Sequence, residues 1–264
     1  MNRWRTALVS VTLTAACASA TASHAAPARS PSSRPASAPD SVPADLPLGT
    51  PVHLADGRSY WLAPARGRGP RPLLLVLHGL YLRPQTALAQ TRVLAWASRH
   101  DVTVAFPVGE RLSWAAGPGC CGYASSARVD DVRYLLSVVT DAEHRTPVDR
   151  HRIAVMGDSL GGMMALRAAC AAPAMFRLGA SVGGPLIVRC PAGNLLRVRG
   201  SHDRTVPSSG GYNSYLRTTL PSLARERALL GARARERIVV WDGGHAWPQH
   251  PDATALIGAA LLAL

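Results

Sequence analysis

Ser159, Asp203 and His245 are the residues whose types and spacing could do chemistry. Ser159 lies in "VMGDSLGGMMAL", where an apolar strand-like run meets Gly157-Asp158-Ser159-Leu160-Gly161 and an Ala/Met/Leu-rich stretch follows at once. Small residues two before and two after a serine allow a very tight strand-to-helix turn that lifts the hydroxyl clear of the backbone. A serine hydroxyl attacks a carbonyl only if a base takes its proton, and the base needs an acid to orient it. "LLRVRGSHDRTVP" offers Asp203 in a short loop after one apolar run, and "RIVVWDGGHAWPQH" offers His245 in a Gly-Gly loop after another. The chemistry that order implies is acyl transfer through a covalent serine intermediate. Its oxyanion would be held by two backbone N–H groups. The candidates are those of Leu160, next to the serine, and of Leu80, which follows His78-Gly79 at the end of "LLLVLHGL".

Other residues compete for these roles. Asp242 is nearer His245 in sequence, but it ends a strand-like run ahead of two glycines, so Asp203 is the expected acid. His250 lies beyond Pro248, outside the loop, and His202 reads as a surface residue. His78, at a strand end before Gly79, reads as shaping its loop. Tyr81, Trp114 and Trp247 are the aromatics expected to line the substrate cleft.

Such residues need a scaffold. Candidate strands cover residues 50–54, 59–63, 73–78, 102–107, 153–157, 178–182, 195–200 and 238–242, and candidate helices cover 85–99, 129–144, 160–171, 212–230 and 252–264. The first two strands read as a hairpin around "ADGR". The later ones are continuous apolar runs, as strands covered on both faces are. Alternating strands and helices imply an α/β class, with a mostly parallel sheet of about eight strands and helices on both faces. Only residues 183–194 separate the sixth and seventh candidate strands, so no large lid is expected. The C-terminal "ATALIGAALLAL" is too short to span a bilayer.

The ends and the composition bear on setting. The formal charge is +13, and all 29 basic side chains are arginine. No dense arginine run interleaved with aromatics appears, so nucleic acid is not an expected partner. Residues 225–237, where Glu226 and Glu236 alternate with arginine, read as an exposed helix face. Arg3 and Arg5, an apolar run over 7–16 and small residues through Ala26 follow the order of an export signal spanning 1–26. Cleavage before Ala26 competes with lipidation at Cys17, whose preceding "LTAA" weakly resembles a lipoprotein box. Residues 27–48 carry proline every fourth position from Pro27 to Pro47 and read as a disordered linker. Residues 49–264 form the expected catalytic domain. It would be secreted, or tethered through its N-terminus to a membrane or wall. The remaining cysteines, Cys120, Cys121, Cys170 and Cys190, suit disulfides in an exported chain. Adjacent Cys120 and Cys121 are expected to pair with distant partners rather than with each other. No histidine stands at ligand spacing beside them, so no metal is expected, and acyl transfer through a serine calls for no organic cofactor.

The chain resembles the polyhydroxybutyrate depolymerase-like esterases, α/β-hydrolases related to the feruloyl and acetylxylan esterases of carbohydrate esterase family 1. The resemblance rests on "VLHG", "WAAGPGCCGYASSARVDDVRYLLSVV", "VMGDSLGGMMALRAAC", "RGSHDRTVP" and "DGGHAWP", in the family's order. It implies an α/β-hydrolase fold, a triad of Ser159, Asp203 and His245, oxyanion donors at Leu80 and Leu160, and a carboxylic ester substrate. Where many relatives carry a small residue or cysteine after "HG", this chain has "HGLYLRP". A peptidase or thioesterase on the same triad, or a non-catalytic wall-binding protein on the same fold, are the alternative readings.

Overall fold

The computed structural model describes residues 48–264. The expected export signal, Cys17 and nearly all of the proline-rich stretch therefore lie outside the described residues. Along the chain the elements are β1 (Val52–His53), β2 (Ser59–Ala63), β3 (Arg71–Leu77), α1 (Pro84–Thr91), α2 (Val93–His100), β4 (Thr103–Pro107), α3 (Tyr123–Ser126), α4 (Asp131–Arg145), β5 (Val148–Asp158) and α5 (Leu160–Ala171). They continue with β6 (Leu178–Val182), β7 (Cys190–Gly200), β8 (Gly211–Asn213), β9 (Thr218–Leu220), α6 (Leu223–Arg227), β10 (Leu230–Trp241) and α7 (Ala253–Leu262).

Eight strands form one sheet in the order β1-β2-β4-β3-β5-β6-β7-β10. The β1–β2 and β2–β4 pairs are antiparallel, and every pair from β4 through β3 to β10 is parallel. All eight candidate strands join this sheet. The unbroken apolar run of β3 explains how: Leu73, Leu75 and Leu77 point into one core with α4 and α5. Leu74 and Val76 point into the other, against α1, α2 and α7. A strand buried on both faces has no polar side to alternate. None of the described helices is long and apolar enough to cross a membrane.

Three expectations about the elements are corrected. The helix over 85–99 is two helices, because Arg92 takes a left-handed conformation (φ 50°) between them. The helix over 212–230 is instead the β8–β9 hairpin followed by the five-residue α6. β-branched Thr218 and Thr219 favour a strand, and Pro221 cannot continue a helix through its missing N–H. Residues 225–237 are not an exposed helix face, since most of them belong to β10. There Arg233, Arg235 and Arg237 point outward along an edge strand, where charge discourages pairing with other chains. Glu226 and Glu236 point inward.

The cysteine expectation is corrected as well. Cys170 pairs with Cys190, tying α5 to the start of β7. Cys120 pairs with its neighbour Cys121, across a cis peptide bond. Among the described cysteines no distant partner is left for them, because Cys170 and Cys190 bond each other. The 20-residue loop closed by Cys170–Cys190 restricts the unfolded chain by about 3 kcal/mol on the chain-entropy model.

Candidate active site

Ser159 is the hinge between β5 and α5. Its backbone stands at φ 50°, ψ −117°, a region that a non-glycine residue occupies at a cost of about 1–3 kcal/mol. The strain is held on both sides: the Ser159 N–H donates to Val182 O at 2.8 Å, and its carbonyl accepts from the Met163 N–H at 3.0 Å. Cβ atoms at Gly157 or Gly161 would strike backbone, Gly157 against Gly161 and Gly161 against Leu77 and His78. Only hydrogen at both positions lets the turn close this tightly.

Asp203 and His245 come from the loops after β7 and β10, adjacent parallel strands. Parallel register brings both loops to the same end of the sheet as Ser159. The His245 Nδ1 lies 2.8 Å from Asp203 Oδ2. The other carboxylate oxygen accepts from the N–H groups of Thr205 (2.9 Å) and Val206 (2.7 Å). Burial works against ionisation of Asp203, but the bond to His245 and those two N–H groups outweigh it and hold the carboxyl below its usual range. For His245, burial would lower the pKa. The Asp203 bond and the negative charges of Asp203 and Asp158 override it and keep the imidazole above its ordinary value. The rival acid is elsewhere: Asp242 is nine-tenths exposed and faces His202, at 3.0 Å.

Ser159 and His245 line one cleft of about 280 Å³ with Gly79, Leu80, Asp158 and Thr205. Among the described residues no hydrogen bond joins the Ser159 hydroxyl to the imidazole. Gly183, at φ 70°, lies under the ring, where a Cβ would approach His245 Cε1 to 3.0 Å. A larger residue there would push the imidazole away.

The Leu80 loop is shaped by His78. Its Nε2 accepts from the Gly109 N–H at 3.0 Å, so Nδ1 carries the proton and donates to Gly79 O at 2.8 Å. Burial pushes its pKa down to about 4, and the ring stays neutral. Among the described residues no turn or loop hydrogen bond occupies the N–H of Leu80 or of Leu160.

None of the three aromatics expected to line the cleft does so. Trp114 is fully buried, and its indole N–H donates to His78 O at 2.9 Å. It supports the Leu80 loop from behind and cannot touch a substrate. Trp247 is also buried and donates to Thr254 Oγ1 at 3.1 Å, which fixes the segment after His245 onto α7. Tyr81 is 57% exposed but is not among the cleft-lining residues. Tyr215, Leu216, Leu82 and Gln90 line the cleft instead. The helical spacing of their segment conceals Tyr215 and Leu216 as cleft residues. The turn signals Gly210-Gly211 and Pro221 around them were the available clue.

Asp158 is a buried carboxylic acid in the same cleft. Burial raises its pKa to about 6, against the pull of the positive His245 and the Ser159 N–H, and nearby Asp203 adds to the rise. A carboxyl whose folded pKa exceeds its unfolded value destabilises the fold as pH climbs between the two. Asp158→Asn is therefore expected to match wild type near pH 3. Its gain in stability should emerge between about pH 4 and 6 and stay at about 2–3 kcal/mol above that. Thermal unfolding of both proteins across pH 3–8 checks this; equal midpoints at pH 8 would remove the burial argument.

No family model matches the chain. The chain is similar in fold to the S-formylglutathione hydrolase FrmB of Staphylococcus aureus, at a TM-score of 0.59 and 14% identity over 80% of this chain and 94% of that one. It is similar also to pOPH, at 0.58 and 15% over 76% and 83%, and to a thermostable esterase, at 0.55 and 20% over 81% and 61%. The protein thus has the α/β-hydrolase fold. In sequence it is 35% identical over 127 residues to NocK of Nocardia uniformis subsp. tsuyamanensis, a protein named as an esterase. That stretch is 47% of this chain, which spans about a third (36%) of the length of the curated relative it matches.

Proposed function

We propose that this chain is a serine esterase that hydrolyses carboxylic esters through an acyl-enzyme. The observation that carries the reading is the 2.8 Å contact of His245 with Asp203, in a cleft lined by a serine on a strained turn. The similarity to NocK supports the ester class. In this mechanism the unprotonated Nε2 of His245 takes the Ser159 proton as Oγ attacks the ester carbonyl. Asp203 holds the Nδ1–H tautomer and balances the imidazolium charge. The N–H groups of Leu80 and Leu160 receive the oxyanion. The imidazolium then protonates the departing alcohol, and water repeats the sequence to free the acid.

Export, inferred from the N-terminal residues, fits the Cys170–Cys190 pair, since disulfides persist in oxidising surroundings. The substrate classes implied by the family resemblance are polyhydroxyalkanoate, feruloyl and acetyl esters. Turnover of p-nitrophenyl esters, feruloyl and acetyl-sugar esters and hydroxybutyrate oligomers, beside an acyl thioester and a peptide, tests the reading. Esters are expected to lead by at least tenfold in kcat/KM. Turnover confined to the thioester or the peptide would overturn it.

A further inference from the structure

Behind the Asp203–His245 pair lies a second set of charges that the acyl-transfer steps do not use. Arg197 and Arg199, two apart on β7, point to one side of the strand and are buried at the side chain to 0% and 2% exposure. Between them sits Glu226 of α6, itself 0% exposed. One Glu226 oxygen meets Arg197 Nη2 and accepts from the Leu186 N–H at 2.6 Å; the other accepts from Arg199 Nη1 at 3.1 Å. Glu236 of β10 takes the remaining Arg197 arm at 2.6 Å. Buried ion pairs of this kind seldom stabilise a fold beyond what apolar residues of equal volume would supply. Both ends of this cluster lead toward the cleft residues.

The second arm of Arg199 donates to Val206 O at 3.2 Å. Val206 is also one of the two residues whose N–H groups hold Asp203 Oδ1. Arg199 thus grips the carbonyl of the same residue whose N–H holds the acid. At the other end, Leu186 belongs to the loop after β6 that begins with Gly183, the residue lying under the His245 ring. Glu226 therefore ties together the turn that carries Asp203 and the loop on which the imidazole rests.

We propose that Glu226, clamped by Arg197 and Arg199, is the positioning residue that keeps the Asp203–His245 pair in register for proton transfer. The proposal rests on the serine esterase reading above. A displacement of about 1 Å at a reacting group can cost about 100-fold in rate, which is the scale of effect such a clamp controls. Its charges also reach the ring. His245 is faced by Asp203 from the loop after β7, by Asp158 from the end of β5 and by Arg199 from β7, with Arg199 opposing the imidazolium.

The test uses the full chain with Glu226→Gln, Arg199→Met and Arg199→Lys, and p-nitrophenyl butyrate as substrate. Glu226→Gln and both Arg199 variants are expected to lose about 10- to 100-fold in kcat with KM within twofold. The acid limb of the kcat/KM profile separates charge from geometry. Arg199→Met removes a cation facing the ring, so the limb moves to higher pH. Glu226→Gln leaves two guanidiniums with less counter-charge, so it moves to lower pH. Arg199→Lys keeps the charge and leaves the limb in place, but one ammonium cannot reproduce the two-armed grip, so kcat still falls.

Wild-type kcat in folded Arg199→Lys and Glu226→Gln, or limb shifts of the same sign in Arg199→Met and Glu226→Gln, would overturn the proposal. Should Glu226→Gln fail to fold, the two Arg199 variants decide alone through kcat and the limb. An active Ser159→Ala would instead overturn the esterase reading itself. A dead Ser159→Ala beside wild-type-like cluster variants would remove only the positioning role.

Discussion

Ser159→Ala is expected to lower ester turnover by about 10⁶-fold and to abolish labelling by a fluorophosphonate, while the protein stays folded. The size of the loss follows from the role proposed for Oγ, which forms and breaks the covalent bond. Without it only the cleft and the two backbone donors act on the ester, worth about 10³- to 10⁴-fold over water in other serine hydrolases. The fold should survive for a separate reason. Ser159 Oγ makes no hydrogen bond among the described residues, so its removal orphans no buried partner, and alanine meets the same positive φ that serine does. The thermal midpoint is expected within about 2 °C of wild type, since surface-like truncations of this kind stay within about 0.5 kcal/mol. Covalent labelling of the alanine variant, or more than 1% residual turnover, would show that another nucleophile does the work.

The second large effect is that of Asp203→Asn, expected to lower kcat by about 10⁴-fold. An amide in place of the carboxylate can present its NH₂ to the ring and so favour the tautomer with the proton on Nε2. That ring cannot accept the serine proton. It also loses the negative charge and the hydrogen bond that hold the imidazole pKa above its usual value. Whatever activity remains should therefore show its acid limb at lower pH than wild type. A group whose folded pKa is raised stabilises the fold below its unfolded pKa and ceases to do so as pH rises through the folded value. The His245 contribution to stability is accordingly an acid-side effect that Asp203→Asn removes. The Asp203 contribution runs the other way: its folded pKa is depressed, so it is present above the unfolded carboxyl pKa and lost as pH falls through the folded one. Asp242→Asn serves as the comparison, since Asp242 is exposed and meets His202 and Ser201 among the described residues. Activity lost in Asp242→Asn and kept in Asp203→Asn would reverse the assignment of the acid.

Much of this was legible along the chain, because the signals involved are local. A seven-residue apolar run such as β3 reads as a doubly covered strand whatever it packs against. Two glycines around a serine report a tight turn, because only hydrogen fits between Gly157 and Gly161. The positions of Asp203 and His245, each just past such a run, follow from the same reading. Local signals misled where two elements share a composition. The leucines of residues 212–230 have helical spacing, yet the hairpin and Pro221 break it, and that spacing gives no sign that Tyr215 and Leu216 line the cleft.

The sequence by itself determined the eight strands of the main sheet, the tight turn at Ser159 and the loops that could present an acid and a base. Hydrophobic period and glycine sterics act between neighbours, so they are written in consecutive residues. Only the tertiary structure decided that Cys120 pairs with Cys121, that Trp114 backs the Leu80 loop, and that Asp203 rather than Asp242 meets His245. It alone turned the alternating arginines and glutamates of 225–237 into an edge strand and a buried clamp. A buried charge is tolerated only where partners distant in sequence neutralise it, and no stretch of chain records which partners those are.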